Sequence, residues 1–164
     1  MENITRASFE DAATLLALQK LAYQSEAQIY HEFTIPPLTQ NLDEMRNDIT
    51  SKVFLKAQIE GKILGSVRGY QEGSTGFIER LMVHPDCQGQ GIGTALIKQI
   101  ESCFGQVQRF ELFTGHRSER NIHLYQRLGY KIFKNQKINN NLSIVFMEKQ
   151  DYLQENSPSW GKFL

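Results

Sequence analysis

Cysteine, proline and tryptophan are scarce in this chain, and neither sign of charge is in excess. The two cysteines, Cys87 and Cys103, form no C-x-x-C pair. That argues against a disulfide framework and a metal site, and it makes a reducing, cytoplasmic compartment the expectation. Eighteen Lys and Arg residues balance eighteen Asp and Glu residues. A nucleic-acid binder rests on many uncompensated cations, so no nucleic acid is expected as a partner. No apolar run nears the roughly 18 residues of a membrane span. The start of the chain also lacks the basic-then-apolar pattern of a signal peptide, so no membrane association is expected. Internal repeats and low-complexity segments are missing as well.

The residues that are present suit one globular domain. Hydrophobic residues make up 40% and charged residues 22% of 164. That composition and length can close a single core without a staple. We expect one domain over residues 1–150, followed by a tail, 151–164, that carries the only tryptophan, Trp160.

The hydrophobic pattern changes period along the chain. Asn3–Ala7 reads as a strand. Ser8-Phe9-Glu10-Asp11 then reads as a capping box ahead of a helix carrying Ala12, Leu15, Leu16, Leu18 and Ala22. Periodicity blurs from Tyr23 to Gln40, where Pro36-Pro37 stops any helix. Asn41 or Asp43 can cap a second helix toward Ser51. Val53–Ile59 alternates with period two, turns at Glu60-Gly61-Lys62 and returns through Ile63–Tyr70. Gly73–Gly76 turns the chain again into Phe77–Val83. A helix with Ile92, Ala95, Leu96, Ile100 and Cys103 on one face follows. Then come a strand at Val107–Thr114, a helix at Ser118–Leu128 closed by Gly129, and a hairpin of Lys131–Lys137 with Leu142–Glu148. This order predicts an α/β (α+β) fold: a mixed, mostly antiparallel sheet of about seven strands with about four helices.

One segment carries most of the chemistry. Between Val83 and Leu96 a strand ends, Gly89, Gly91 and Gly93 alternate, and a helix begins. Glycines let a ligand approach the backbone, and the first helical turn offers unpaired N–H groups to a phosphate or pyrophosphate. A P-loop would need Gly-Lys-Ser/Thr, which is missing. A dinucleotide fingerprint starting at Gly89 meets Thr94 where its third glycine belongs. It would also follow the first strand of a βαβ unit rather than an antiparallel meander.

With Val83-His84-Pro85 before it, the set Gln88, Gly91 and Gly93 resembles the Gln/Arg-x-x-Gly-x-Gly/Ala signature of the GCN5-related N-acetyltransferase (GNAT) superfamily. Leu124-Tyr125-Gln126-Arg127-Leu128-Gly129-Tyr130 is similar to that family's Leu-Tyr-x-x-x-Gly-Phe segment. The motifs occur in the family's order, and the element order fits residues 3 to about 149. The resemblance implies an acyl-CoA N-acyltransferase fold that moves an acetyl group from acetyl-CoA directly to a primary amine of a small molecule, peptide or protein, with no metal. A homodimer is expected by analogy with the family.

The same resemblance distributes roles. The backbone of Leu81, Met82 and Val83 would bind the pantetheine arm as an added strand. The amides of Gln88, Gly89, Gln90, Gly91, Ile92, Gly93 and Thr94 would cradle the pyrophosphate. Lys98, Arg117, Arg120, Arg127 and Lys131 are candidates for the nucleotide phosphate, although each also reads as a solvated surface charge. Tyr125 would protonate the departing thiolate; otherwise it is a core tyrosine. Ser118 and Asn121 stand where the family often has Asn and Ala. They share a helix face with Tyr125, and Ser118 also reads as a helix N-cap. Glu79 would be the base, sharing one side of its strand with Leu81 and Val83; otherwise it pairs with a surface Lys or Arg. Cys87 lacks a His–acid partner, and family members transfer without a covalent intermediate. The acceptor groove would lie along Tyr23–Gln40 and Gln136–Ser143, where Glu26, Tyr30, His31, Glu32 and Phe33 mix acids with aromatics. Two other readings stand beside this one: a catalytically silent acyl-CoA-binding or sensor domain, and a nicotinamide or flavin nucleotide binder.

Overall fold

The structure, a computed structural model, describes residues 3–150. The tail and Trp160 lie outside the described residues. Seven strands form one sheet: β1 (Asn3–Arg6), β2 (Val53–Ile59), β3 (Lys62–Glu72), β4 (Thr75–Val83), β5 (Arg109–Gly115), β6 (Lys131–Lys137) and β7 (Ser143–Gln150). Their order is β1-β2-β3-β4-β5-β7-β6. Every pairing is antiparallel except β4 with β5, which is parallel. The mixed, mostly antiparallel sheet expected from the sequence is the sheet observed.

Helices cover both faces. On one side α1 (Ala12–Ala22) and α4 (Leu42–Ser51) bury Leu15, Leu18, Met45 and Ile49 against Phe54 and Met82. On the other, α5 (Ile92–Ser102) lays Leu96, Ile97 and Ile100 on Leu55, Val67, Ile78 and Phe110, and α6 (Glu119–Arg127) adds Tyr125. Two chain starts are built as the sequence indicates. Ser8 and Asp11 close a capping box before α1, and Asn41 and Glu44 close one at the start of α4. On α5 the buried stripe takes Ile97 and leaves Cys103 exposed, so the apolar face is rotated from the expected one.

The stretch in which periodicity blurs holds two short helices, α2 (Gln24–Tyr30) and α3 (Pro36–Thr39). Their order comes from tertiary contacts rather than from a continuous stripe. Tyr30 is buried against the end of β5, where a Cβ on Gly115 would stand 2.1 Å from the Tyr30 hydroxyl. Only glycine admits that ring, and so α2 is seated beside the start of α6. No helix among the described residues is long and apolar enough to cross a membrane.

Candidate active site

The sheet opens in its middle. β4 and β5 pair only at Thr75, Gly76 and Phe77, opposite Arg109, Phe110 and Glu111. Beyond Phe77 this edge of β4 has no strand partner among the described residues, which leaves backbone polar groups available to a ligand, although the Leu81 carbonyl already accepts from the Tyr23 hydroxyl. A bulge re-aims the same stretch. Arg68 pairs with Glu79 and Ser66 with Met82, so Arg80 and Leu81 together oppose the single residue Val67. Arg80 takes up the extra residue with φ +54°.

The bulge overturns one expectation from simple alternation. Ile78 packs toward α5, whereas Met82, four residues on, packs toward α1 and α4. Glu79 therefore faces the α1/α4 side, while Leu81 and Val83 pack toward α5. The three do not share a side. Strict period-two reading fails here because the inserted residue flips the strand.

Beside the open edge lies a cavity of about 500 Å³. Leu81, Met82 and Val83 form its floor. Gln88, Gly89 and Gly91 enter from the loop, and Ile92, Gly93 and Thr94 from the first turn of α5. Gly91 is the N-cap of α5 at φ +86°, and Gly89 sits at φ +76°. Both lie in the left-handed region that glycine adopts without penalty. No side chain caps this helix, so its first-turn amides point at the cavity. Gln90 is exposed and lies outside the lining.

The opposite wall comes from α6 and from the junction of α1 and α2. Ser118 and Asn121 both line the cavity, with Leu124 beyond them. Ser118 occupies the N-cap position of α6 but makes no side-chain cap. Its hydroxyl instead lies 2.7 Å from the Tyr30 hydroxyl and donates to Glu26. Of the cationic candidates, Arg120 and Arg127 reach the cavity, and Arg120 donates to the Gln88 side chain. Lys98, Arg117 and Lys131 are not in the lining.

Tyr125 is buried behind this wall, edge-on to Tyr130 at 6.1 Å between ring centroids. Burial raises its phenol well above the ordinary tyrosine value, and the nearby Tyr23 and Glu26 add to the rise. Its hydroxyl therefore stays protonated at neutral pH. Tyr23, which the pattern of residues did not single out, lines the cavity and donates to the Leu81 carbonyl at 3.3 Å. Burial pushes its phenol up to about 12, against the pull of Arg80 and Arg68.

Glu79 lies elsewhere. It pairs with Lys52 and lines a separate polar hollow with Asp48, Gln40 and Arg80.

Comparison with known proteins gives the family and the fold. The family model described as "Acetyltransferase (GNAT) family" matches residues 15–130. The chain belongs to the GNAT acetyltransferase family. Among curated relatives, an acetyltransferase of Pectobacterium atrosepticum is 35% identical over 81 residues, covering 48% of this chain and 57% of that protein. An uncharacterized N-acetyltransferase of Methanocaldococcus jannaschii is 31% identical over 81 residues, covering 48% and 52%. The matches thus span little more than half the length of these relatives. In fold, this GNAT chain is similar to the PaiA N-acetyltransferase of Thermoplasma acidophilum in complex with coenzyme A, with a TM-score of 0.78 at 18% identity, over 92% of this chain and 99% of that one. It is also similar to a Salmonella typhimurium structure with its cofactor acetyl-CoA, with a TM-score of 0.72 at 18% identity, over 92% and 94%.

For a GNAT domain, the sequence had located the loop and the β4 edge, and both border one cavity. It also led us to expect the stretch from Tyr23 along the acceptor groove, and Tyr23, Glu26 and Ile29 do line the cavity, but it gave Tyr23 itself no role.

Proposed function

We propose that this chain is an N-acetyltransferase that takes acetyl-CoA as donor and a primary amine of a small molecule, peptide or protein as acceptor. The observation that carries the reading is the meeting, at one cavity, of an unpartnered β4 edge and the uncapped first turn of α5. A pantetheine arm has amides that can extend the sheet along Leu81–Val83. A pyrophosphate suits the amides of Gln88–Thr94 and the positive end of the helix dipole. Arg120 and Arg127 line the same cavity and are the candidates for the outer phosphates. The solved relatives bound to coenzyme A and acetyl-CoA support the same choice of donor.

In this reading the thioester supplies an activated acyl carbon, and the protein supplies position and proton transfer. Tyr125 carries its proton at neutral pH, as any phenol does, and is the candidate acid for the departing thiolate; burial raises it and makes that transfer more uphill. The reading is tested by a thermal shift with acetyl-CoA, with NADH and ATP as controls. Ligand at about 100 times its Kd stabilises by about 2.7 kcal/mol. A shift with acetyl-CoA alone, followed by thiol release on adding amines, is the expected result. A shift without thiol release identifies a silent acyl-CoA-binding domain, and a shift only with NADH removes the acyltransferase reading.

A further inference from the structure

An amine is protonated at neutral pH, and its nitrogen attacks a thioester only after losing a proton. Two carboxylates line the cavity, Glu26 and Glu119. Glu119 is exposed in the first turn of α6, whereas Glu26 is half-buried and held by an oriented chain of hydrogen bonds. The direction of that chain follows from its members. A carboxylate accepts, so the Ser118 hydroxyl gives its one proton to Glu26 Oε2. Ser118 Oγ must then accept from the Tyr30 hydroxyl, 2.7 Å away. The Tyr30 oxygen in turn accepts the Arg117 amide at 2.9 Å. The chain fixes one carboxylate oxygen and leaves the other without a partner among the described residues. Neither Lys nor Arg among them pairs with Glu26, whereas Glu79 is held by Lys52 outside the cavity.

We propose, resting on the acetyltransferase reading, that Glu26 is the base that receives the acceptor's proton, and that its unpartnered oxygen selects a cationic primary amine. Glu26 takes one proton from the ammonium, and the freed nitrogen lone pair attacks the acyl carbon. The N–C bond forms and the C–S bond breaks, with the electron pair leaving on sulfur. Tyr125 gives its proton to the thiolate and regains one from the nitrogen as the amide forms. Glu26 returns its proton to water, so the sum is ammonium plus acetyl-CoA giving amide, CoA thiol and one proton.

The titratable and charged groups around Glu26 include Glu119, which lines the same cavity from the first turn of α6. Tyr23 comes from the α1–α2 junction, Tyr30 from α2 itself, and Tyr125 from α6; each phenol feels the Glu26 charge. Arg117 lies before α6, Arg120 and Arg127 lie on it, and Cys87 lies across the cavity. Burial raises all three phenols, so none of them is the base at neutral pH.

The test is thiol release from acetyl-CoA with n-butylamine, putrescine and an alanine-initiated peptide, followed by pH profiles of kcat/KM for wild type, E26Q and E79Q. The expected E26Q result is a loss of about 100-fold at pH 7, the low end for a missing base, with recovery as the amine itself deprotonates at high pH. E26Q is also expected to keep the wild-type Tm shift with acetyl-CoA, which separates the proton-transfer role from a structural one. Glu26→Asp should restore part of the rate at pH 7. A wild-type profile in E26Q, or loss of the acid limb in E79Q instead, overturns the assignment and leaves the acetyltransferase reading standing. A wild type that binds no acetyl-CoA, or releases no thiol with any of the amines, overturns both.

Discussion

Tyr125 is a core residue that also has a chemical task in the proposed reaction. Its ring packs in the core with the residues of the sheet and α5, and its hydroxyl makes no hydrogen bond among the described residues. Tyr125→Phe keeps the ring and removes the acid. We expect kcat to fall on the order of 10²-fold, as for loss of a general acid, with the acetyl-CoA thermal shift unchanged. Steady-state thiol release under conditions where chemistry limits turnover checks this, and an unaltered kcat removes the role. Arg68 presents the opposite case, a charge with only a structural task. Its guanidinium is fully buried, lies over the Phe54 ring at 4.4 Å and reaches Asp48 at 2.7 Å. Asp48→Ala strands that cation, so we expect a loss of about 3–5 kcal/mol in urea unfolding. Arg68→Met, which removes the buried charge, should cost less than Asp48→Ala.

At the scale of elements, the site is made by two departures from regularity. One is the bulge in β4, where Arg80 and Leu81 face Val67 alone. The other is the start of α5, where Gly91 takes the place of a side-chain cap. Glycine at φ +86° costs nothing, whereas alanine there is strained by roughly 1–2 kcal/mol. Gly91→Ala should therefore weaken acetyl-CoA binding about tenfold by tilting the first-turn amides, while a modest fall in Tm reports the strain. Isothermal titration against acetyl-CoA and a melt without ligand read the two effects separately. The loop, its glycines and the following helix were legible in the sequence because each depends on neighbours within a few positions. The bulge was not legible, because it is set by how β3 and β4 pair across the sheet. That is why Glu79 was expected beside Leu81 and Val83 and lies on the other face.

For the whole molecule, ion pairs tie the α1/α4 side to the sheet, and two of them run through aspartates. Asp11 reaches Lys56 at 2.7 Å, and Asp48 reaches Arg68. Burial works to raise the Asp11 carboxyl, but the bond from Lys56 and the Ser8 amide outweigh it and hold the group below 3.8. Burial likewise opposes Asp48, and Gln40, Arg68 and Lys52 together hold it below 3.8. A carboxylate with a depressed folded value contributes stability that is present above its unfolded value and lost as pH falls through the folded one. Tm should therefore hold down to about pH 4 and drop below it. D48N should lose part of that acid sensitivity while starting from a lower Tm. Melts from pH 7 to pH 2.5 check both.

The sequence by itself determined the element order, the mixed sheet, the glycine loop and the family. Each of these rests on local period, local turn chemistry or contiguous motifs. Only the tertiary structure decided which side chains share a cavity. Ser118 was expected to cap α6 or touch the coenzyme, and it does line the cavity, yet its bonds go to Tyr30 and Glu26, 88 and 92 positions earlier. Glu26 was one acid in an aromatic-rich stretch of no clear period until α2 was seated by Tyr30 on Gly115. Contacts across such distances depend on how far strands splay and where a bulge flips a face. Those are properties of paired backbones and packed layers, which no single stretch of sequence carries.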